Sequence, residues 1–176
     1  MSQLILMVGC PGAGKTTTAQ KYVEKLPNAI TISRDAIRFS LLQPEQDYWD
    51  CENDVVKEFW KQINNALLTY DYVIADQTSL TTRARKWLLD HIKGYSIVSA
   101  LWIDETLETC LQRNNMRRGA KNYVPEANLK KMYNNLETPT LEEGFDIIYR
   151  YNSNKDYITL YRREDIPLDE KYLVYS

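Results

Sequence analysis

The chain has 176 residues, a length that fits one domain or at most two very small ones. Hydrophobic residues make up 44% and charged residues 26%, with only 6 Gly and 6 Pro, which excludes a collagen-like, low-complexity or disulfide-rich protein. The 22 basic and 24 acidic residues give a net charge of -2, and the isoelectric point is near 5.5. Proteins that coat nucleic acid are normally basic, so we expect any nucleic-acid contact to be local or limited to one strand end.

The cysteine and histidine content indicates the compartment and argues against a zinc site. Cys10, Cys51 and Cys110 form an odd set without a CxxC pair, which favours a reducing cytoplasm over a secreted disulfide framework. His91 is the only histidine, and no second ligand lies at a spacing typical of zinc. No apolar run approaches the ~20 residues that a membrane-spanning helix needs. We therefore expect a cytoplasmic protein without a membrane partner.

Along the chain, apolar segments of strand length alternate with longer helical patterns, which is typical of a parallel α/β sheet. The predicted strands are Gln3–Val8, Ala29–Ile32, Tyr72–Ala75, Ser96–Ile103 and Asp146–Tyr151. The predicted helices are Lys15–Leu26, Ala36–Leu42, Asp50–Thr69, Thr82–Lys93, Glu105–Met116 and Pro125–Leu136. These elements predict a doubly wound, mainly parallel sheet flanked by helices. Residues 1–176 are predicted to form a single domain, in which 151–176 are a short C-terminal tail with an edge strand at Tyr157–Tyr161.

A phosphate-binding motif directly follows the first predicted strand. Residues 9–16 have the sequence GCPGAGKT, a full GxxxxGK[ST] pattern, and a helical pattern begins at its end. The glycines let backbone N–H groups point at phosphate oxygens, and the helix N-terminus adds its positive dipole. Lys15 would bind the β- and γ-phosphates of ATP, and the Thr16 hydroxyl would ligate Mg²⁺. A glycine-rich turn without a ligand is the alternative. The predicted nucleotide-binding residues are Gly9, Gly12, Ala13, Gly14, Lys15, Thr16 and Thr17.

The residues after the second predicted strand are candidates for the acceptor site. They have the sequence SRDAIR at positions 33–38, and in a doubly wound sheet ligands bind at the carboxyl ends of strands. Asp35 is placed either to cap the next helix or to take the proton of an acceptor hydroxyl during phosphoryl transfer. Arg38 lies three residues on, on the same helix face. It is either a binding residue for an anionic substrate group or a surface charge.

An acidic residue also stands at the end of the third predicted strand. A carboxylate at that position beside a phosphate loop commonly holds the water shell of the metal ion or orients an arginine, and Asp76 fits this role. A helix cap is the alternative for Asp76. Gln77 and Arg85 are further candidates for substrate binding, although an exposed helical arginine is the usual case for Arg85.

A basic segment in the second half of the chain predicts a lid over the nucleotide. Residues 112–131 carry six basic side chains against a single acidic one. Arg113 and Arg117 lie four residues apart on one helix face, and Gly119 allows the chain to leave the helix. Such a lid can supply guanidinium groups to the transferred phosphoryl group. Favourable charge at a helix end is the alternative, and Arg118 is an alternative to Arg117.

These segments together resemble the 5′-hydroxyl polynucleotide kinase domains, both phage-type and fused to a 3′-phosphatase, within the wider P-loop kinase group. The matching sequences are ILMVGCPGAGKTT, ISRDAIR, VIADQTSLTTRARK, RNNMRRG, YVPEANLKKMY and LETPTLEEGFDII. They run in order from the first predicted strand to about residue 150. The resemblance implies a P-loop kinase fold with a helical arginine lid.

The same resemblance implies a role for individual residues. It implies that Lys15 and Thr16 bind ATP and Mg²⁺ and that Asp35 is the general base. It also implies that Arg38 binds a phosphate of the acceptor nucleotide and that Arg113 and Arg117 are the lid arginines. We therefore expect ATP- and Mg²⁺-dependent phosphorylation of the 5′-hydroxyl end of DNA or RNA. Recognition of a strand end needs few phosphate contacts, which reconciles this substrate with an acidic protein.

Two other functions fit the same motifs. A small-molecule or nucleoside kinase of the P-loop group would use the same loop and base, and the acidic isoelectric point suits it. A nucleotide-binding switch module would bind ATP tightly without phosphorylating an acceptor, and Asp35 would then be dispensable.

Overall fold

The computed structural model describes residues 2–152 and 157–166. The strands in these ranges are β1 (Gln3–Val8), β2 (Ala29–Ser33), β3 (Tyr72–Asp76), β4 (Ile97–Ile103), β5 (Ile147–Asn152) and β6 (Tyr157–Arg162). The helices are α1 (Lys15–Lys25), α2 (Arg34–Leu41), α3 (Glu52–Ala66), α4 (Thr82–His91), α5 (Leu107–Asn115) and α6 (Glu126–Asn134), with a short 3₁₀ helix at Leu141–Glu143.

The strands form one sheet in the order β2-β3-β1-β4-β5-β6. Strands β1 to β5 all run parallel to one another, and β6 pairs antiparallel with β5 at the edge. The predicted doubly wound, mainly parallel sheet is therefore confirmed, including its edge strand. The strand order reverses beside β1, and in open α/β sheets the crevice at such a point is where ligands bind.

Apolar residues cover both faces of the sheet and hold the carboxyl ends of its strands in place. In β1, Leu4, Leu6 and Val8 pack into one core and Ile5 and Met7 into the other. Helix α3 covers the first core with one buried stripe, formed by Val55, Phe59, Ile63 and Ala66. A strand buried on both faces is apolar throughout, which is why β1 shows no polar alternation.

Helix α2 begins two residues before its predicted start, and this changes the position of Asp35. Ser33 is the N-cap, because its side-chain oxygen accepts the Ala36 N–H at 3.3 Å. Asp35 is therefore not the cap but lies in the first turn of the helix. Acidic side chains are favourable there because the helix dipole is positive at that end.

The predicted C-terminal tail is described in part. Residues 153–156 and 167–176 of it lie outside the described residues, and its described part contains β6. No helix in the described part of the chain combines the length and apolar character needed to span a membrane.

Candidate active site

A cleft of about 330 Å³ opens where β1, β2 and β3 end. Ten of the residues predicted from the sequence line it: Gly12, Gly14, Lys15, Thr16, Thr17, Asp35, Arg38, Asp76, Gln77 and Arg117. Four do not line it, namely Gly9, Ala13, Arg85 and Arg113. Most of the remaining wall comes from the turn between α2 and α3 and from the segment 121–132.

The loop between β1 and α1 turns sharply at two glycines. Gly12 has φ +81° and Gly14 has φ +103°, values that other residues rarely adopt. A Cβ at Gly12 would lie 2.5 Å from the backbone oxygen of Cys110 in α5, so no larger residue fits. Gly9 and Ala13 belong to the same loop, and Ala13 is 2% exposed. The loop therefore has the tight backbone turn that a phosphate cradle requires.

A buried ammonium and a buried carboxylate lie beside this loop. Lys15 Nζ donates to the Cys10 carbonyl at 2.8 Å. Burial lowers the pKa of Lys15, and the negative charge of Asp76 opposes that shift. Burial raises the pKa of Asp76, although the hydrogen bond from Thr16 and the charge of Lys15 act in the opposite direction. Both charges are costly to desolvate, which is the arrangement expected where a charged ligand binds.

The donor set at this point fits a nucleotide with Mg²⁺. Thr16 Oγ1 donates to Asp76 Oδ2 at 2.8 Å, which brings a hydroxyl and a carboxylate together. Oxygen donors of this kind are those that Mg²⁺ prefers, usually with waters completing its shell. Lys15 on the same wall is a point charge suited to phosphate oxygens.

Asp35 lies on the wall of the cleft and accepts a hydrogen bond from the Tyr48 hydroxyl. Tyr48 belongs to the turn between α2 and α3. Burial raises the pKa of Tyr48, and its hydrogen bond to Asp35 raises it further. The phenol is therefore a stable donor that orients the Asp35 carboxylate, whose side chain remains exposed.

Arg38 is buried at the same wall, with 1% exposure. It donates to the Tyr48 carbonyl at 2.8 Å, pairs with Glu52, and lies against the Tyr48 ring with 4.2 Å between its Cζ atom and the ring centroid. Glu52 also pairs with Arg34, so one carboxylate serves two cleft arginines. The arginine pair therefore keeps a net positive charge in the cleft.

Gln77 orients Arg34. Its Oε1 accepts from Arg34 at 2.9 Å, and its Nε2 donates to Ser79 Oγ at 3.0 Å. The Nε–H groups of Arg34 and Arg38 have no acceptor among the described residues although both are buried. Unsatisfied donors of this kind are rare in folded proteins and point to a missing partner.

The predicted lid arginines separate into two positions. Arg113 donates to the carbonyls of Ala13 at 3.0 Å and Gly12 at 3.4 Å, so it holds the outside of the phosphate loop. Arg117 lies beyond the end of α5 and lines the cleft, whereas Arg118 does not. The structure thus places Arg117, and not Arg118, on the wall of the cleft.

The structure corrects the prediction that Arg85 binds substrate. Arg85 is completely buried and pairs with Glu143 through Nε, at 2.6 Å. It also donates to the carbonyls of Ser79, Leu80 and Glu137, each at 3.0 Å. These contacts occupy its guanidinium, so Arg85 is a structural residue outside the cleft.

Sequence reasoning did not single out Arg34, Tyr48 and Trp49, which line the cleft, or Glu52, which pairs with Arg34 and Arg38. One signal was present for the aromatic pair, because it interrupts an otherwise polar stretch, QPEQDYWD, between two helical patterns. Glu52 has no such signal, since an acidic residue in the first turn of a helix is accounted for by the helix dipole.

The part of the chain that forms this cleft also matches a known protein family. Residues 4–139 match the family described as AAA domain. The chain belongs to that family. The match includes the phosphate loop, both carboxylates of the cleft and the arginine segment, and the fold is that of a nucleotide-binding, kinase-like P-loop protein.

Solved structures with similar folds come from proteins of different kinds. A chain of a Pnkp1/Rnl/Hen1 RNA repair complex has 21% identity and a TM-score of 0.63, with 77% of this chain and 44% of that chain covered. Kti12 of Chaetomium thermophilum, in complex with ADP-AlF3, has 17% identity and a TM-score of 0.64, with 87% and 90% covered. A sugar kinase from Janibacter sp. HTCC2649 has 18% identity and a TM-score of 0.62, with 86% of each chain covered.

These similarities establish the fold of this AAA domain protein and leave its acceptor open. The chain spans less than half the length of the RNA repair chain that it matches, 44%. In proteins that share a fold, the residues of the site determine the function.

Proposed function

We propose that the protein is a cytoplasmic ATP-dependent polynucleotide kinase that transfers the γ-phosphate of ATP to the 5′-hydroxyl of DNA or RNA. The observation that carries the proposal is the position of Asp35. Its carboxylate shares one cleft with Lys15 and Thr16 of the phosphate loop, so a carboxylate base and the residues for phosphate binding line the same cleft.

The chain's own residues account for each part of this reaction. Asp35 accepts the proton of the acceptor hydroxyl as that oxygen bonds to the γ-phosphorus, and the bond from the γ-phosphorus to the bridging oxygen breaks to release ADP. Lys15 and Arg117 bind the phosphate oxygens on which charge develops. Thr16 and Asp76 would hold Mg²⁺, which when bound neutralises phosphate charge.

Two observations support a nucleic-acid acceptor. Five basic side chains line the cleft against two acidic ones, and the buried Nε–H groups of Arg34 and Arg38 have no acceptor among the described residues. The sequence also resembles the 5′-hydroxyl polynucleotide kinase domains from β1 to about residue 150, and a similar fold occurs in an RNA repair complex.

A small-molecule kinase is the second candidate. Glu52 already pairs with Arg34 and Arg38, so the site can take an acceptor with little negative charge, and a sugar kinase shares the fold.

The test is transfer of labelled γ-phosphate to a 5′-hydroxyl oligonucleotide, with free nucleosides, a 3′-monophosphate nucleotide and simple sugars as competing acceptors. We expect label on the oligonucleotide 5′ end, and its loss in Lys15→Ala and Asp35→Asn. Asp90→Asn, an exposed carboxylate of α4, is the matched control and retains transfer. Label on a nucleoside or sugar alone would instead establish the small-molecule kinase. ATP binding without any transfer would leave a nucleotide-operated switch.

A further inference from the structure

We propose that Trp49 is the surface on which a base of the acceptor strand stacks, an inference that rests on the proposed function and adds its specificity residue. Trp49 lines the cleft and yet is 68% exposed. Single exposed aromatic residues are common on protein surfaces, so exposure alone assigns nothing. Trp49 differs from such residues in how its indole is held and in what lies beside it.

The indole is held by contacts with neighbouring side chains. The ring of Tyr48 meets it edge-on, with 4.8 Å between ring centroids, and the Arg38 guanidinium lies 5.0 Å from its centroid. Arg38 is itself anchored by Glu52. The Trp49 carbonyl accepts the Glu52 N–H at 3.2 Å, which fixes the turn. A ring already held in one orientation loses little entropy when a ligand stacks on it.

The position of the ring connects it to the reaction centre. Its chain neighbour Tyr48 donates its hydroxyl to Asp35, the proposed base. The group that carries the reacting hydroxyl therefore has to approach the turn that presents Trp49. Tyr123, Val124 and Pro125 line the same cleft and add apolar surface to it.

A planar base fits this combination of surfaces. Bases stack on aromatic rings irrespective of sequence, and the basic side chains of the cleft suit the phosphates of the same strand. Of the two acidic residues that line the cleft, Asp76 is proposed to hold Mg²⁺ and Asp35 to accept the proton. The positive charge of the basic side chains is therefore available to the strand.

The test combines variants of Trp49 with removal of single bases. Phosphorylation of a 5′-hydroxyl oligonucleotide is compared with that of the same strand carrying an abasic site at the first, second or third position. We expect Trp49→Ala to raise the KM for the intact strand about 5- to 100-fold, with the KM for ATP unchanged and most of the effect reversed in Trp49→Phe. The effect disappears for the strand that lacks the stacked base.

Trp87→Ala is the matched control, because Trp87 is also exposed, at 48%, but lies in α4 against Trp60 and outside the cleft. A KM increase that is equal for all abasic strands would overturn the proposal, since Trp49 would then pack on the sugar or merely support Arg38. No increase in Trp49→Ala would overturn it too.

A second measurement does not depend on turnover. A strand with 5-iodouracil at the stacked position, irradiated with the wild-type protein, is expected to cross-link to the peptide that contains Trp49. Cross-linking without phosphorylation would disprove the kinase function and keep the stacking site. Phosphorylation without a base-dependent effect and without a Trp49 cross-link would support the kinase function and disprove the stacking site.

Discussion

Arg85 and Glu143 form a buried two-point ion pair, with 2.6 Å between Nε and Oε2 and 2.7 Å between Nη2 and Oε1. The two side chains are 58 residues apart in sequence and are 0% and 3% exposed. The pair joins α4 to the 3₁₀ helix before β5. Arg85 is therefore expected to affect folding rather than substrate binding.

Arg85→Met should destabilise the protein by about 3–5 kcal/mol, because it leaves the Glu143 carboxylate buried without its partner. Adding Glu143→Gln should recover part of the loss, since the amide carries no charge and can still accept the Thr140 N–H, now at 3.0 Å. Urea unfolding measures both effects. Arg83→Met, on the exposed side of the same helix, is the control and should change stability by less than about 0.5 kcal/mol. An Arg85→Met protein with normal stability and weaker acceptor binding would contradict this role.

Gly12→Ala should weaken nucleotide binding through a steric clash. The new Cβ would lie 2.5 Å from the Cys110 backbone oxygen, so the loop has to move. Gly94→Ala separates this clash from backbone strain, because Gly94 has φ +90° with nothing within 4 Å of the added atom. Both variants carry the strain of about 1–2 kcal/mol. Only Gly12→Ala should raise the Kd for ATP, by about tenfold or more, in a calorimetric titration. Equal ATP affinity in the two variants would refute the clash.

Lys15→Met should stabilise the nucleotide-free protein while eliminating activity. Burial lowers the pKa of Lys15 below that of the unfolded chain, so the charged lysine opposes folding at neutral pH. The folded state binds fewer protons than the unfolded state between the lowered pKa and 10.5, so this cost diminishes as the pH rises through that interval. The Cys10 carbonyl keeps the Ala13 N–H as a donor at 3.1 Å after the substitution.

Thermal unfolding of wild type and Lys15→Met across this pH range measures the effect. We expect a higher Tm for the variant at pH 7, by about 2–4 °C for each kcal/mol gained in the free energy of unfolding. The difference in Tm between the two proteins should become smaller as the pH approaches 10.5. A difference that does not depend on pH would show that charge burial is not its cause.

Arg117→Ala should lower kcat about 10²- to 10³-fold, as expected for loss of one group that stabilises transition-state charge. Arg118→Ala should have little effect, because Arg118 does not line the cleft. Single-turnover kinetics on the proposed acceptor compare the two. A large loss of kcat in Arg118→Ala with little loss in Arg117→Ala would show that Arg118 is the lid arginine.

Sequence patterns predicted the strands well and the ends of the helices less well. β1 has its predicted bounds, because an apolar run between two polar segments defines a buried strand. Helix α3 was predicted as Asp50–Thr69 and is shorter at both ends. The residues next to each end form turns, which keep the spacing of apolar residues but lack the regular hydrogen bonds of the helix. Such turns have the same composition as a helix end.

The site was predictable where its residues follow one another in the chain. The phosphate loop and Asp35 come directly after strands, and parallel strands bring their carboxyl ends to one edge of the sheet. The sequence by itself therefore determined the fold class, the nucleotide loop and the edge of the sheet that carries the cleft. Only the tertiary structure decided that Glu52 pairs with two arginines, that Arg85 is buried and that Trp49 is presented at the cleft. Those outcomes depend on contacts between residues that are distant in the chain, and neither periodicity nor residue type specifies which distant groups meet.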